Sequence, residues 1–254
     1  MVYLDINLAS NYKNNSQKAR VMTEDWTEKN FFCPNCGNKI TNYPNNKEVA
    51  DFYCESCNED YELKAKNLKS LWKIVPDGSY ESMLKRLKSL SNPNFLFLTY
   101  NNEYKIINFL IIPKFFITPE NIIKAPRKLK DRWDYIMCNI SLLNIPDSWK
   151  IFFLRNWDIF SKTSILEKWK KISFLREQNT ERRWWLLDIM KCIEKLNKEV
   201  FTLKDIYNFE PFLKEKHPNN KHIKDKIRQQ LQFLANKWYI EFVDNRWTYK
   251  KLWK

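Results

Sequence analysis

Two stretches of the chain are apolar at nearly every position: Phe95-Leu-Phe-Leu-Thr-Tyr100 and Ile106-Ile-Asn-Phe-Leu-Ile-Ile112, separated by a segment that begins Asn-Asn-Glu. Short apolar runs bounded by turn formers predict two buried strands joined as a hairpin. Upstream, 48–54 and 61–66 alternate in character and predict a second hairpin whose turn holds Cys54 and Cys57. Helical spacing over 16–29, with Ser16 as the expected cap, predicts one helix. A second is predicted over 78–90, with Leu84, Leu87 and Leu90 on one side. A further strand is expected over 148–154. The expected fold of this part is α/β, a mixed central sheet with flanking helices.

From about residue 184 the pattern changes. Trp185, Ile189, Ile193 and Leu196 mark one helix, and Thr202 with Asp205 is a capping signal for a second that carries Leu203, Ile206, Phe209 and Leu213. A third helix is predicted over 219–236 on the stripe Ile223, Ile227, Leu231 and Leu234. Residues Tyr239 to Val243, a turn at Asp244-Asn245 and Arg246 to Tyr249 then predict a β-hairpin. Three helices followed by a hairpin is the order of a winged helix. The expected division is therefore 1–180 and 181–254.

Charge changes what these units are expected to meet. The 254 residues include 44 Lys and Arg against 30 Asp and Glu, a formal net charge of +14. Residues after 180 hold 17 basic against 10 acidic groups and those before it 27 against 20, so each part carries +7, far denser in the smaller one. A polyanionic partner is expected. Two glycines in all exclude a Gly-rich phosphate loop. No apolar run reaches about 18 residues, and the start lacks a charged head followed by an apolar stretch, so a soluble, cytoplasmic protein with no membrane partner is expected.

Six cysteines occur, and four of them form Cys33-Pro-Asn-Cys36 and Cys54-Glu-Ser-Cys57. Two such knuckles facing each other supply four sulfurs in tetrahedral array, which suits a closed, structural Zn²⁺ site. The competing reading is two disulfides, for which nothing in the sequence suggests an oxidising compartment. Cys138 and Cys192 lie in apolar surroundings and read as small packed hydrophobes.

Around the second knuckle the chain reads Asp51-Phe-Tyr-Cys54 and, after the turn, Glu62-Leu-Lys64-Ala-Lys66. Side chains alternate along a strand, so Glu62 and Lys64 share a face and Lys66 continues that row. Asp51 on the partner strand and Glu62 can hold a divalent ion such as Mg²⁺, with the Leu63 carbonyl as a further ligand. Lys64 then activates a water or neutralises a phosphate oxygen. An ordinary solvated strand with an i,i+2 ion pair is the competing reading. In the winged helix, Arg228, Gln229 and Gln232 are the candidate base readers, with Lys221, Lys224 and Arg246 on phosphates.

The arrangement Asp51, Glu62, Lys64 resembles the PD-(D/E)xK nucleases, with Ala50 where the proline would stand. Longer blocks carry a closer likeness: Ser-Gln-Lys-Ala-Arg (16–20), Thr-Glu-Asp-Trp (23–26), Cys-Pro-Asn-Cys-Gly-Asn (33–38), Val-Ala-Asp-Phe-Tyr-Cys (49–54), Glu-Leu-Lys (62–64), Asn-Pro-Asn-Phe (92–95), Phe-Leu-Thr-Tyr (97–100) and His-Ile-Lys-Asp-Lys-Ile-Arg-Gln-Gln-Leu-Gln (222–232). Together these resemble the DpnI-type methyl-directed (type IIM) restriction endonucleases over nearly the whole chain. The resemblance implies a mixed-sheet PD-(D/E)xK core with a four-cysteine zinc site and a C-terminal winged helix. It implies Mg²⁺-dependent hydrolysis of both strands within GATC carrying N6-methyladenine. The implied catalytic residues are Asp51, Glu62 and Lys64, and the implied zinc ligands are Cys33, Cys36, Cys54 and Cys57. The family has Trp before Ile-Gly-Cys-Asn-Ile; here Tyr135 precedes Ile-Met-Cys-Asn-Ile with Trp133 nearby, and these two are expected against the adenine methyl groups. The segment 155–172 departs from the family pattern and reads as a linker. A monomer is the expected unit.

The alternative of another class is a non-cleaving reader of methylated DNA, or a zinc-containing regulator; the intact acidic pair with its lysine favours cleavage. Nucleases of the His-metal finger type need a histidine near their knuckles, and the two histidines, His217 and His222, lie in the second part.

Overall fold

The computed structural model describes residues 2–44, 50–89, 91–125, 136–244 and 247–252. They form two compact units, Met1–Trp169 and Lys170–Lys254.

The first unit runs α1 (Asn15–Asn30), β1 (Thr41–Asn42), β2 (Phe52–Tyr53), β3 (Asp60–Asn67), β4 (Ile74–Ser79), α2 (Tyr80–Ser89), β5 (Asn94–Tyr100), β6 (Ile106–Ile112), β7 (Ile122–Lys124), β8 (Met137–Ser141), β9 (Ile151–Arg155) and β10 (Asp158–Ile159). The helix α3 (Lys162–Ile172) spans the unit boundary. A seven-stranded sheet has the order β1-β2-β3-β5-β6-β9-β10. Its β3–β5 pairing is parallel and its other pairings are antiparallel. A parallel pair needs a crossover, and β4 with α2 supplies it. Every residue of β5 and β6 is buried, which is why these strands read as continuous apolar runs rather than alternating ones.

Several expectations are corrected in detail. Asn14, not Ser16, caps α1: its side chain accepts from the Ser16 amide. Met83 and Leu87 form the buried side of α2, Leu84 is half-buried, and Leu90 lies outside the described residues. The strand predicted from 148 begins at Ile151, because Asp147–Trp149 form a 3-10 turn that buries Trp149. The segment 155–172 holds β10 and α3 rather than a linker, with Ile165 and Trp169 of α3 each only 1% exposed. A second, three-stranded sheet, β4-β8-β7, was not foreseen.

The second unit holds α4 (Thr180–Lys195), β11 (Val200–Thr202), α5 (Leu203–Tyr207), α6 (Glu210–Lys216), α7 (Ile223–Asn236), β12 (Ile240–Asp244) and β13 (Thr248–Lys251), with the sheet order β11-β13-β12. Thr202 and Asp205 make the expected reciprocal cap. The single helix predicted after Thr202 divides into α5 and α6, because Pro211 occupies the first turn of α6, where its missing N–H costs nothing. The helix expected from 219 starts at Ile223, since His217 to Asn220 form a turn closed by Asn220 N–H on the His217 carbonyl. Ile223, Ile227, Leu231 and Leu234 are its buried stripe as predicted, joined by Gln230. The extra strand β11 extends the expected hairpin, of which Asn245 and Arg246 lie outside the described residues. The unit is a winged helix-turn-helix. Among the described residues no helix is long and apolar enough to cross a membrane.

Candidate active site and metal centre

The two cysteine pairs adopt the same turn. In the first, Gly37 N–H binds the Cys33 carbonyl at 2.7 Å and Cys33 N–H binds the Asn38 carbonyl at 2.8 Å. In the second, Asn58 N–H binds the Cys54 carbonyl at 2.8 Å and Cys54 N–H binds the Glu59 carbonyl at 2.9 Å. Each turn needs one left-handed residue after its second cysteine, supplied by Gly37 at φ 78° and Asn58 at φ 56°. Glycine adopts this conformation without strain, and asparagine tolerates it better than most residues.

The turns bring the four Sγ atoms within 4.8 Å of one another, with 3.4 Å from Cys33 to Cys57 and from Cys36 to Cys54. A disulfide would need about 2.05 Å. Sulfurs held about 2.3 Å from a central zinc sit roughly 3.8 Å apart, so the donor set fits that ion. Burial pushes the Cys33 thiol up, and the Tyr61 hydroxyl, donating to Cys33 Sγ at 3.0 Å, works against that push. A bound dication would complete what that hydrogen bond begins, because metal ligation favours the thiolate. Helix α3 braces the first turn: Lys162 Nζ donates to the Gly37 carbonyl at 2.6 Å and Trp169 Nε1 to Asn35 Oδ1 at 3.1 Å. Glu59, buried at the end of the second turn, accepts from Asn94 Nδ2 of β5 at 2.6 Å.

Tyr61 links this centre to the acidic residues. Its carbonyl accepts from Asp51 N–H at 2.9 Å, its ring is fully buried, and the next residue is Glu62. The β2–β3 ladder ends there, and the Asp51 side chain takes over, Oδ2 accepting from Leu63 N–H at 2.7 Å. The N–H and C=O of one residue point the same way in an extended strand, so the Leu63 carbonyl lies on the edge that Asp51 faces. Lys64 Nζ is 2.5 Å from Glu62 Oε1 and 2.8 Å from Asp77 Oδ1. Burial raises the Glu62 pKa above the ordinary carboxylate value, and the charges of Asp77 and Asp51 add to it against the pull of Lys64. Burial disfavours the Lys64 charge, yet Glu62 and Asp77 together raise its pKa. Crowded carboxylates of this kind are relieved by a cation.

Asp51, Glu62, Leu63, Lys64 and Lys66 line one cleft of about 660 Å³. Its opposite wall is α1, through Asn15, Ser16, Arg20 and Glu24; Arg20 Nε binds Glu24 Oε1 at 2.6 Å. Sequence reading missed Arg20, Glu24, Tyr61 and Asp77 as neighbours of the site. Asp77 was hidden because Pro76-Asp77-Gly78 has the signature of a turn, whereas it lies within β4.

In the second unit Lys221, Lys224, Arg228, Gln229 and Gln232 are all exposed, on α7 or just before it. Arg228 pairs with Asp225 and Lys224 with Glu210 at 3.4 Å. Arg246, Trp133 and Tyr135 lie outside the described residues. Cys138 and Cys192 are buried, and burial pushes each thiol up to about 12.

Two family models match the chain. One, described as DpnI, the Dam-replacing family, matches residues 1–178, and the other, the Dam-replacing HTH domain, matches residues 181–251.

Proposed function

The chain belongs to the Dam-replacing family, as a DpnI-type methylation-dependent restriction enzyme with a C-terminal helix-turn-helix domain, and from this premise we propose its site, cofactors and target. The proposed reaction is hydrolysis of both DNA strands within GATC that carries N6-methyladenine. The observation that carries the cutting site is the convergence of Asp51, Glu62 and Lys64 on one cleft, with Lys64 Nζ 2.5 Å from Glu62.

Asp51, Glu62 and the Leu63 carbonyl would hold Mg²⁺, which supplies charge stabilisation for attack on a phosphodiester. Asp51 has one oxygen committed to Leu63 N–H, which fixes the carboxylate and leaves the other oxygen as a donor. Lys64, kept protonated, sets a positive charge beside the phosphate oxygens. Arg20 and Lys66 add positive charge along the same cleft, where the DNA backbone would run. Cys33, Cys36, Cys54 and Cys57 would hold Zn²⁺ through four protein sulfurs, and the ion so held would fix the hairpin that carries Asp51 and Glu62.

In the second unit, Arg228, Gln229 and Gln232 read bases from α7, while Lys221, Lys224 and Arg246 hold phosphates. Trp133 and Tyr135 would pack on the methyl groups. The acting unit is a monomer, and the setting is the cytoplasm. The experiment compares plasmid from an adenine-methylating host with plasmid from a methylation-deficient one, each with purified protein and Mg²⁺. The methylated plasmid is expected to be cut at GATC and the other spared. Binding without cutting of either would support a non-cleaving reader instead.

A further inference from the structure

The lysine of the cleft has two carboxylate partners, and only one of them belongs to the proposed metal site. Glu62 faces the cleft, while Asp77 lies behind Lys64, absent from the cleft wall and 8% exposed. Asp77 comes from a different strand and a different sheet, the three-stranded β4-β8-β7.

Its aim is set by an irregularity of that strand. Pro76 pairs with Asn139 and Ser79 with Met137, so three steps along β4 face two along β8 and one residue is extra. Such a bulge re-aims a side chain, and bulges gather beside active sites for that reason. β4 is an edge strand, where Pro76 removes no ladder bond that the sheet requires. The bulge delivers Asp77 Oδ1 to Lys64 Nζ at 2.8 Å. Its other oxygen, Oδ2, is buried and has no hydrogen-bond partner among the described residues, so Lys64 is the group that compensates this carboxylate.

We propose that Asp77 is a positioning residue for strand cleavage: it holds the Lys64 ammonium in place when Glu62 turns from the lysine to a divalent cation. The inference rests on the reading of Asp51, Glu62 and Lys64 as the cutting site. Without Asp77, a largely buried ammonium would have only Glu62 as partner, and the two demands on Glu62 would compete. With Asp77, Lys64 keeps a fixed position throughout, and displacement by as little as about 1 Å can cost about 100-fold in rate.

The test measures two quantities on the full-length zinc-loaded protein: affinity for a methylated duplex in Ca²⁺, and single-turnover cleavage in Mg²⁺. Asp77→Asn keeps an acceptor oxygen and the side-chain shape but loses the charge, and is expected to slow cleavage about 10-fold. Asp77→Ala is expected to slow it about 100-fold. Both should bind within about 2-fold of the parent and retain zinc, since a positioning role concerns the chemical step and not the docking of DNA. Cleavage by Asp77→Asn at the parent rate would overturn the proposal, as would an affinity that falls as far as the rate. Lys64→Ala is the separate control. If it cuts like the parent, the reading of the cutting site has failed, whatever Asp77 does.

Discussion

The charged groups on β3 and those on α7, both proposed to act on DNA, are held in opposite ways. On β3, Glu62 and Lys64 have side chains only 17% exposed and pair at 2.5 Å. On α7, Arg228 and Lys224 are exposed, and their partners Asp225 and Glu210 are exposed as well or nearly so. A group that must act on one bond needs a single geometry, and burial with fixed partners provides it. A group that must meet a long polyanion needs reach and a hydrated surface. Its salt-screened partners are released at little cost. The contrast predicts that damage to β3 removes chemistry, and damage to α7 removes affinity.

The harshest way to break this contrast is to treat the protein with a chelator, on the proposal that the four cysteines hold zinc. Structural zinc sites contribute apparent binding energies on the order of 10 kcal/mol, so chelation should unfold the hairpin that carries Asp51 and Glu62 and abolish cleavage. Melting followed by circular dichroism should lose the first unit's transition and keep the second's; a single unchanged transition would mean that the four cysteines hold no structural metal. Next in size is Asp51→Ala, expected to cost about 1,000-fold in single-turnover rate, or about 4 kcal/mol, while a filter-binding or anisotropy assay finds affinity for methylated DNA unchanged. Arg228→Ala is the mirror image: about 1–3 kcal/mol of affinity should go, with relaxed preference at one base, and the rate at saturating protein should stay. Should the rate fall and the affinity hold, the two regions would have been assigned the wrong way round.

The smallest effect sharpens the contrast within the second unit. Thr202→Ala should lower stability by about 1 kcal/mol in denaturant melts without touching cleavage. Hydrogen bonds from the Thr202 amide and hydroxyl hold the Asp205 carboxyl below its usual value of 3.8. Because its folded pKa is the lower one, its contribution is complete above about 3.8 and is lost as pH falls through the folded value. Asp205→Asn should therefore weaken the protein at pH 7 and converge with the parent in strong acid.

How far these features could be read from the sequence follows from how local their causes are. The cluster of four cysteines was legible because two Cys-x-x-Cys turns present their sulfurs together, and the shared face of Glu62 and Lys64 because side chains alternate along a strand. Strands β5 and β6 were legible because burial on both sides leaves an unbroken apolar run. By contrast, β4 was hidden by a Pro-Asp-Gly signature that the second sheet overrides, and with it went Asp77. Helix α3 was hidden because its anchors, Ile165 and Trp169, are few among charged residues, and its bonds to Asn35 and Gly37 reach across more than a hundred residues of chain. The break between α5 and α6 follows from Pro211, a local signal that outweighs the apolar spacing running across it.

The doubled turn at the cysteines also bears on the order in which the molecule assembles. Cys33 meets Cys57 across 24 residues, and Asp51 meets Leu63 across 12. Closing loops this short costs little chain entropy, whereas the parallel register of β3 with β5 must wait for the whole crossover through β4 and α2. Low-separation contacts form early in folding. A metal captured by the nascent hairpin would therefore set the spacing of Asp51 and Glu62 before the sheet exists to receive them, so that this edge would be templated first and the rest of the domain would condense around it.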